Sequence, residues 1–317
     1  MDTRKEAILS ERTPLVTVAI PCYQHASYLE ACLRSVAAQD LESKQILAID
    51  DGSTDGTADI LQRVGTELGI EWVRAPHRGL MPTLEDLLSR ARGKYYVTMG
   101  SDDILPPGRL SLQSAYLEAH PEVFGCSGQA LELHDDGSLR PMLQYLRGIP
   151  QVSFEDLFLA RKEIHTVSMM WRRQLFLDAG GYDMDQSVED LPLWLRMTRR
   201  YGPVHVLPDI LVHYRVHGNN LHTKTDRVYS AFVSALDKHS DHPLYSKAVR
   251  AWKTNWFSAL AQTDRLAAWK ALPRLANPSL RFFVRFPKLL LPKRVLVWWM
   301  TRGRWHEHGP QGNARVF

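Results

Sequence analysis

Two adjacent carboxylates, Asp102 and Asp103, follow the apolar run 94–99 (KYYVTM) and precede Ile104-Leu105-Pro106-Pro107. Neighbouring negative charges at a strand end repel unless solvent or a cation separates them. Mg2+ and Mn2+ take oxygen ligands and bridge phosphates, so a cation held here would act as a Lewis acid on a departing diphosphate. The competing reading is a solvated turn that caps a helix starting near Pro107. A second acidic loop, Asp50-Asp51-Gly52-Ser53-Thr54-Asp55-Gly56-Thr57, imitates a calcium loop. Its twelfth position is Gln62 and a strand precedes it, so that reading is rejected. Asp51 instead suits hydrogen bonding to a base edge, with Gly52 permitting close backbone approach and Asp55 capping the next helix. Glu189-Asp190 opens an amphipathic helix, where the pair either complements the helix dipole or supplies a general base. In the run from His213 to His222, spacings of four and then five across a Gly-Asn-Asn turn do not converge on zinc. There His217 either completes an oxygen-rich metal site or touches a diphosphate, Arg215 suits a phosphate, and a plain surface turn stands as the alternative.

The elements that position these groups show in the periodicity. Residues 15–21, 45–50, 70–74 and 94–99 read as strands and 26–38, 57–68 and 83–91 as helices, with Leu29, Leu33 and Val36 on one helical face. Such alternation predicts an α/β fold with a mostly parallel central sheet and helices on both faces. Ligands in such sheets bind beyond the carboxyl ends of the strands. Three predicted strand ends carry polar groups: Pro21-Cys22-Tyr23, Asp50 to Ser53, and Gly100 to Asp103. Further on, strands are expected at 123–133, after the turn 134–137, at 166–171, at 203–207 and at 210–216. Helices are expected at 153–160, at 173–179 before Gly180-Gly181, and from near Val188 to about Tyr201. From about residue 226 the pattern is helical, with prolines at 273, 278, 287 and 292. The expected division is a catalytic domain over 1–225, with a nucleotide-binding half at about 14–105 and an acceptor half at about 106–225, and a helical, basic C-terminal extension over 226–317.

With 317 residues and 44% hydrophobic content, the chain can build one large core. Cys22, Cys32 and Cys126 are odd in number and lack metal-ligand spacing, which argues for reduced thiols in the cytoplasm. The polar N-terminus does not read as a signal peptide, and no apolar run reaches the ~18 residues of a membrane span. The net charge of +4 is unevenly placed. Between Arg265 and His306 lie ten Lys or Arg and no acid, leaving 29 basic against 35 acidic residues elsewhere. Over 280–305, aromatics interleave with these bases, a composition suited to an anionic membrane surface at the cytoplasmic face. The alternative is a helix packed on the catalytic domain with a solvated basic face. No motif points to nucleic acid.

In combination and order, the segments VTVAIPCYQHASYLEACLRSVAAQ, ILAIDDGSTDGTADIL, ARGKYYVTMGSDDILPPGRL, GGYD with VEDLPLWLRM, and HYRVHGNNL resemble the family 2 glycosyltransferases over roughly residues 14–222. The resemblance implies a GT-A fold, a nucleoside-diphosphate sugar donor (a UDP-sugar foremost), Mg2+ or Mn2+, and inversion by single displacement. It implies that Pro21 and Tyr23 position the base and that Asp51 reads it. It places Asp102 near the ribose and Asp103 on the cation, with Asp190 the catalytic base beside Glu189. The Asn-x-Gly and Ala-Arg-Asn segments of many relatives are replaced here by His77-Arg78-Gly79-Leu80 and Thr83-Leu84-Glu85-Asp86, where Arg78 is left as a phosphate contact. The glutamine-arginine-tryptophan motif of processive synthases is absent, so transfer of one sugar per encounter is expected, to a glycan or lipid-linked acceptor in bacterial surface-polysaccharide assembly. Competing functions are a sugar nucleotidyltransferase, whose Gly-rich triphosphate loop is missing, and a non-catalytic nucleotide-sugar binder, which would not need both a metal pair and a base.

Overall fold

The computed structural model describes residues 13–142, 150–217, 225–263 and 265–271. Its first half is built from β1 (Val16–Cys22), α1 (Ala26–Ala37), β2 (Lys44–Asp51), α2 (Thr57–Ile60), β3 (Glu71–Ala75), α3 (Leu80–Arg90) and β4 (Tyr95–Thr98). Helix α2 continues as a π-helical turn over Leu61–Gly65 within the helix expected at 57–68. Next come α4 (Arg109–Ala119), β5 (Gly125–Leu133), β6 (Leu139–Pro141), β7 (Gln151–Val152), α5 (Phe154–Phe158), β8 (Met170–Arg172), α6 (Arg173–Asp178), α7 (Asp190–Tyr201) and β9 (Val204–Arg215). Helices α8 (Thr225–Asp237), α9 (Tyr245–Thr263) and α10 (Arg265–Ala271) end the described chain.

One sheet runs β3-β2-β1-β4-β8-β5-β9-β7, with β6 paired to β5. The long ladders β1–β2, β2–β3, β1–β4 and β5–β9 are parallel, while the short strand β8 runs antiparallel between β4 and β5. Period-2 alternation sends Val18, Ile20, Ile46 and Ala48 to one face, where Leu29, Leu33 and Val36 of α1 and Leu110 and Leu117 of α4 cover them. Ala19, Leu47, Ile49 and Tyr96 pack on the other face against Leu84, Leu87 and Leu88 of α3 and Leu191 and Leu195 of α7. Ala235 of α8 and Ala248 of α9 lie in that second core, and the Trp252 indole N–H donates to the Phe158 carbonyl at 3.1 Å. The start of the C-terminal segment therefore packs on the same core as the sheet. The basic aromatic stretch 280–305 lies outside the described residues.

Two expectations change. The strands expected at 203–207 and 210–216 form one strand, β9. Pro208 has no N–H to give the ladder, and the pairing slips there, from Ser127 with Val206 to Gln129 with Ile210. Opposite the slip, a Cβ on Gly128 would lie 2.3 Å from Leu211, so a glycine is required for β9 to bulge inward. The strand expected at 166–171 is a 3-10 turn, Thr166–Ser168, followed by β8. The Ser168 hydroxyl accepts from Gly128 N–H at 3.1 Å and meets the Ser127 hydroxyl at 2.7 Å, so side-chain bonds replace a ladder there.

Candidate active site

The carboxyl ends of β1, β2, β4 and β9 meet on one edge of the sheet. At the end of β1, Gln24 is a rare non-glycine residue in the left-handed region, with φ 56°. Its N–H donates to the Ser53 hydroxyl at 3.0 Å, and the next two amides, His25 and Ala26, donate to Thr57 Oγ1 (3.0 Å) and Asp55 Oδ2 (2.9 Å). The β2–α2 loop thus caps the start of α1, satisfying amides that a helix leaves unpaired. Asp55 also accepts the Thr57 N–H at 3.0 Å, so it serves two helix starts where one was expected. Burial and the Asp50 charge push the Cys22 thiol well up, and all three described cysteines are free and buried.

Asp51 is nearly closed to solvent. Its Oδ1 accepts Arg78 N–H and its Oδ2 accepts Gly79 N–H, both at 2.8 Å, and His77 Nδ1 lies 2.9 Å from Oδ2. The carboxylate therefore ties down the loop that enters α3, and the backbone that Gly52 admits is that of His77: a Cβ on Gly52 would lie 2.7 Å from His77 N. Tyr23, which is 42% exposed, stacks on the His77 ring with centroids 4.3 Å apart. Pro21 sits within β1, half-buried. The Arg78 guanidinium reaches Asp86 of α3 at 3.1 Å.

At the β4 end the two adjacent acids have different surroundings. Asp103 is 1% exposed, its Oδ1 accepts Arg215 N–H at 2.9 Å, and its Oδ2 is buried without a hydrogen-bond partner. Burial and the Asp102 charge push its carboxyl well above the ordinary range. Behind it lies the buried Arg109, whose guanidinium burial pulls down to about 10. Asp102 instead meets imidazoles: Oδ2 is 2.9 Å from His217 Nε2, and Oδ1 is 3.9 Å from His25 Nδ1. One donor atom from each of His25, Asp102 and His217 lies within 4.8 Å of the others. This set of two neutral-capable nitrogens and one carboxylate oxygen fits a divalent cation. The sequence reading put Asp103 on the cation and Asp102 by the ribose; here Asp103 Oδ1 takes a backbone amide while its Oδ2 stays unpartnered, and His25 joins Asp102 and His217. Strand β9 delivers His217, because Arg215 Nε donates to the Asp102 carbonyl at 2.8 Å and Ile104 and His213 exchange backbone bonds. Tyr28 of α1 steadies this end, its ring 5.2 Å from His217 and 4.8 Å under the Arg215 guanidinium. Neither His25 nor Tyr28 carried a signal in the sequence; each lies on α1 or its cap, within no recognisable ligand motif. His222 lies outside the described residues.

The third acid pair sits on the other side of β4. Thr98, the last residue of β4, meets the Tyr182 hydroxyl at 2.9 Å, and Tyr182 lies close enough to Glu189 for its charge to be felt. Asp190 Oδ1 accepts Leu191 N–H at 2.6 Å. Burial raises the Asp190 carboxyl, and burial with the Asp190 charge pushes Glu189 up to about 7. A helix N-terminus alone would lower both; desolvation outweighs it.

Residues 17–174, about half the chain, match the profile of Glycosyl transferase family 2. The chain belongs to this glycosyltransferase family. An uncharacterized protein of Mycobacterium bovis is 30% identical over 208 residues, 63% of this chain and 58% of its own length. The chain thus spans about three-fifths of the length of such curated relatives. The amylovoran biosynthesis glycosyltransferase AmsE of Erwinia amylovora is 29% identical over 194 residues, covering 59% of this chain and 70% of its own. The fold is that of S. aureus TarS, solved with UDP-GlcNAc (TM-score 0.63, 16% identity, 88% of this chain and 82% of that one). It is also that of the Pyrobaculum calidifontis mannosyltransferase PcManGT, solved with GDP-Man and Mn2+ (TM-score 0.60, 20% identity, 92% and 85%). These likenesses establish a GT-A architecture with C-terminal helices. Among the described residues, no helix is long and apolar enough to cross a membrane.

Proposed function

We propose that the chain is an inverting glycosyltransferase that moves one hexosyl or N-acetylhexosaminyl unit from a nucleoside-diphosphate sugar, a UDP-sugar foremost, to an acceptor hydroxyl. The observation that carries this reading is the arrangement about the end of β4: Asp102 with two imidazoles on one side, and the raised acid pair Glu189–Asp190 beyond Thr98 and Tyr182 on the other. Asp102 and His217, with His25, would hold Mg2+ or Mn2+, which supplies positive charge against the leaving diphosphate. Asp190 would take the acceptor proton: Oδ1 is occupied by Leu191 N–H, which leaves Oδ2 for the proton. Its raised carboxyl is a stronger base than a free aspartate. The acceptor oxygen then bonds the anomeric carbon as the bond to the β-phosphate oxygen breaks, and the nucleoside diphosphate leaves. Tyr23 offers a face for the base beside Asp51. Bacterial surface-polysaccharide assembly fits the similarity to AmsE, an amylovoran biosynthesis glycosyltransferase, and a lipid-linked acceptor at an anionic membrane suits the basic segment 280–305.

Replacing Asp190 by Asn should lower kcat by about 10²–10⁴-fold, the usual share of a general base, with donor affinity nearly unchanged. Transfer at near wild-type rate would refute the base assignment.

A further inference from the structure

The segment that leads into Glu189 and Asp190 forms neither helix nor strand over 181–189. With no ladder to hold it, its course depends on side chains brought from elsewhere. Four elements supply them. From α3, Glu85 Oε2 lies 3.5 Å from Tyr182 N. From β4, Thr98 meets the Tyr182 hydroxyl. From α7, Arg196 donates to the Gly181 carbonyl and lies 2.7 Å from Asp183 Oδ2. From α8, the Ser234 hydroxyl accepts Gln186 Nε2 at 3.2 Å. Just past the end of α8, Lys238 Nζ donates to Asp183 Oδ1 at 2.9 Å and to Asp185 Oδ1 at 2.7 Å. We propose that Lys238 is a positioning residue for the Glu189–Asp190 pair: by closing the turn 183–186 against α7, it sets where these carboxylates stand.

The role rests on Asp190 being the base, as proposed above. Asp183 is the pivot. Its side chain is 11% exposed and stands between two cations from two helices, Arg196 on one oxygen and Lys238 on the other. Its carbonyl accepts Gln186 N–H at 2.9 Å, so side chain and backbone together fix the turn three residues before Glu189. Asp185 is 66% exposed, and its share of the Lys238 contact is small. Removing Lys238 would leave the largely buried Asp183 carboxylate short of a partner, which costs more than losing a surface pair. The contact also gives the C-terminal helices a part in the reaction, since α8 and Lys238 lie beyond the family-matched stretch 17–174. A shift of about 1 Å in a reacting group lowers a rate by about 10²-fold, so a loose turn at 183–186 would be felt at Asp190.

The test compares the full-length wild type with two variants. Lys238→Met keeps the aliphatic stem and removes the charge; in Lys238→Arg the guanidinium can meet both carboxylates. Amide hydrogen exchange over 182–191 should be about 10–100-fold faster in Lys238→Met, with β1 and β4 unchanged. UDP release is followed with UDP-glucose, UDP-galactose or UDP-N-acetylglucosamine, whichever the wild type turns over. There kcat should fall about 10–100-fold while the donor KM holds, and Lys238→Arg should restore both exchange and kcat. Wild-type exchange over 182–191 in Lys238→Met, a loosened segment with wild-type kcat, or a loss that Lys238→Arg does not restore would overturn the proposal. So would acceleration shared by β1 and β4, which would make Lys238 a general support of the fold. Asp190→Asn, run alongside, should lose kcat without loosening the segment. If it keeps kcat while Lys238→Met loses it, the base assignment falls and the placement by Lys238 stands.

Discussion

Two Asp-Asp pairs lie at the carboxyl ends of the strands that flank β1, one closing β2 and one in the turn just beyond β4, and they differ in what holds them. At the β2 end, Asp50 accepts Ser53 N–H at 3.1 Å and lies 3.3 Å from Arg74, while Asp51 is filled by two backbone amides and His77. At the β4 end, Asp103 is tied to the backbone of Arg215, but the side chain of Asp102 is met by imidazoles. A backbone amide cannot leave without breaking a turn or a strand. An imidazole can trade a carboxylate for a cation by losing a proton or turning its ring. The partner of a strand-end carboxylate, more than its presence, separates a structural acid from a chemical one. Of the four, Asp102 is the one whose side-chain partners are imidazoles alone.

The sharpest way to break this comparison is to treat the neighbours alike. Asp102→Asn should reduce transfer by about 10²–10³-fold, the scale of losing one preorganised electrostatic contact to a leaving group. Asp103→Asn keeps an oxygen for the Arg215 N–H, so it should cost less than about tenfold. Equal losses in a steady-state assay would return Asp103 to the cation. A smaller effect is expected at the other pair. Asp51→Asn loses an acceptor for one of the two amides it caps and should destabilise the fold by about 1–3 kcal/mol, seen as a lower denaturant midpoint with an unchanged slope. If the midpoint holds while donor KM rises steeply, Asp51 reads the base more than it builds the turn.

The smallest effect concerns pH. The Glu189 carboxyl is raised from 4.5 to about 7 in the fold. The folded state therefore binds a proton that the unfolded state releases, and this contribution to stability is complete below about pH 4.5 and is lost as pH rises towards 7. Glu189→Gln, which stays neutral, should gain about 1 kcal/mol over the wild type at pH 8 and little at pH 4. A gain that does not vary with pH would place the effect in packing.

The sheet and its ligand edge were legible because β-branched runs ending in Asp50-Asp51 and Gly100 to Asp103 mark parallel strands and their carboxyl ends. The helical face Leu29-Leu33-Val36 was equally plain and is buried as expected. The assignment within each acid pair was not. Asp50 and Asp51 close β2, where successive residues point to opposite faces, but Asp102 and Asp103 lie in the turn after β4, and local sequence does not say which carboxylate is interior. Only the arrival of β9, 112 residues downstream of Asp103, decides it. His25 was hidden for a related reason. Its position depends on bonds to Thr57 and Ser101, 32 and 76 residues away. The raised carboxyls of Glu189 and Asp190 depend on desolvation in the fold and, at Glu189, on the Asp190 charge, which a first-turn position on a helix does not reveal.

Asp102 and the cation it would hold are tested most directly by calorimetric titration of UDP into metal-free protein, into protein with Mn2+, and into the Asp102→Asn variant with Mn2+. Binding should be at least about tenfold tighter with Mn2+ in the wild type, with no such gain in Asp102→Asn. Equal UDP affinity with and without Mn2+, or an Asp102→Asn variant that keeps the full Mn2+-dependent gain, would contradict it.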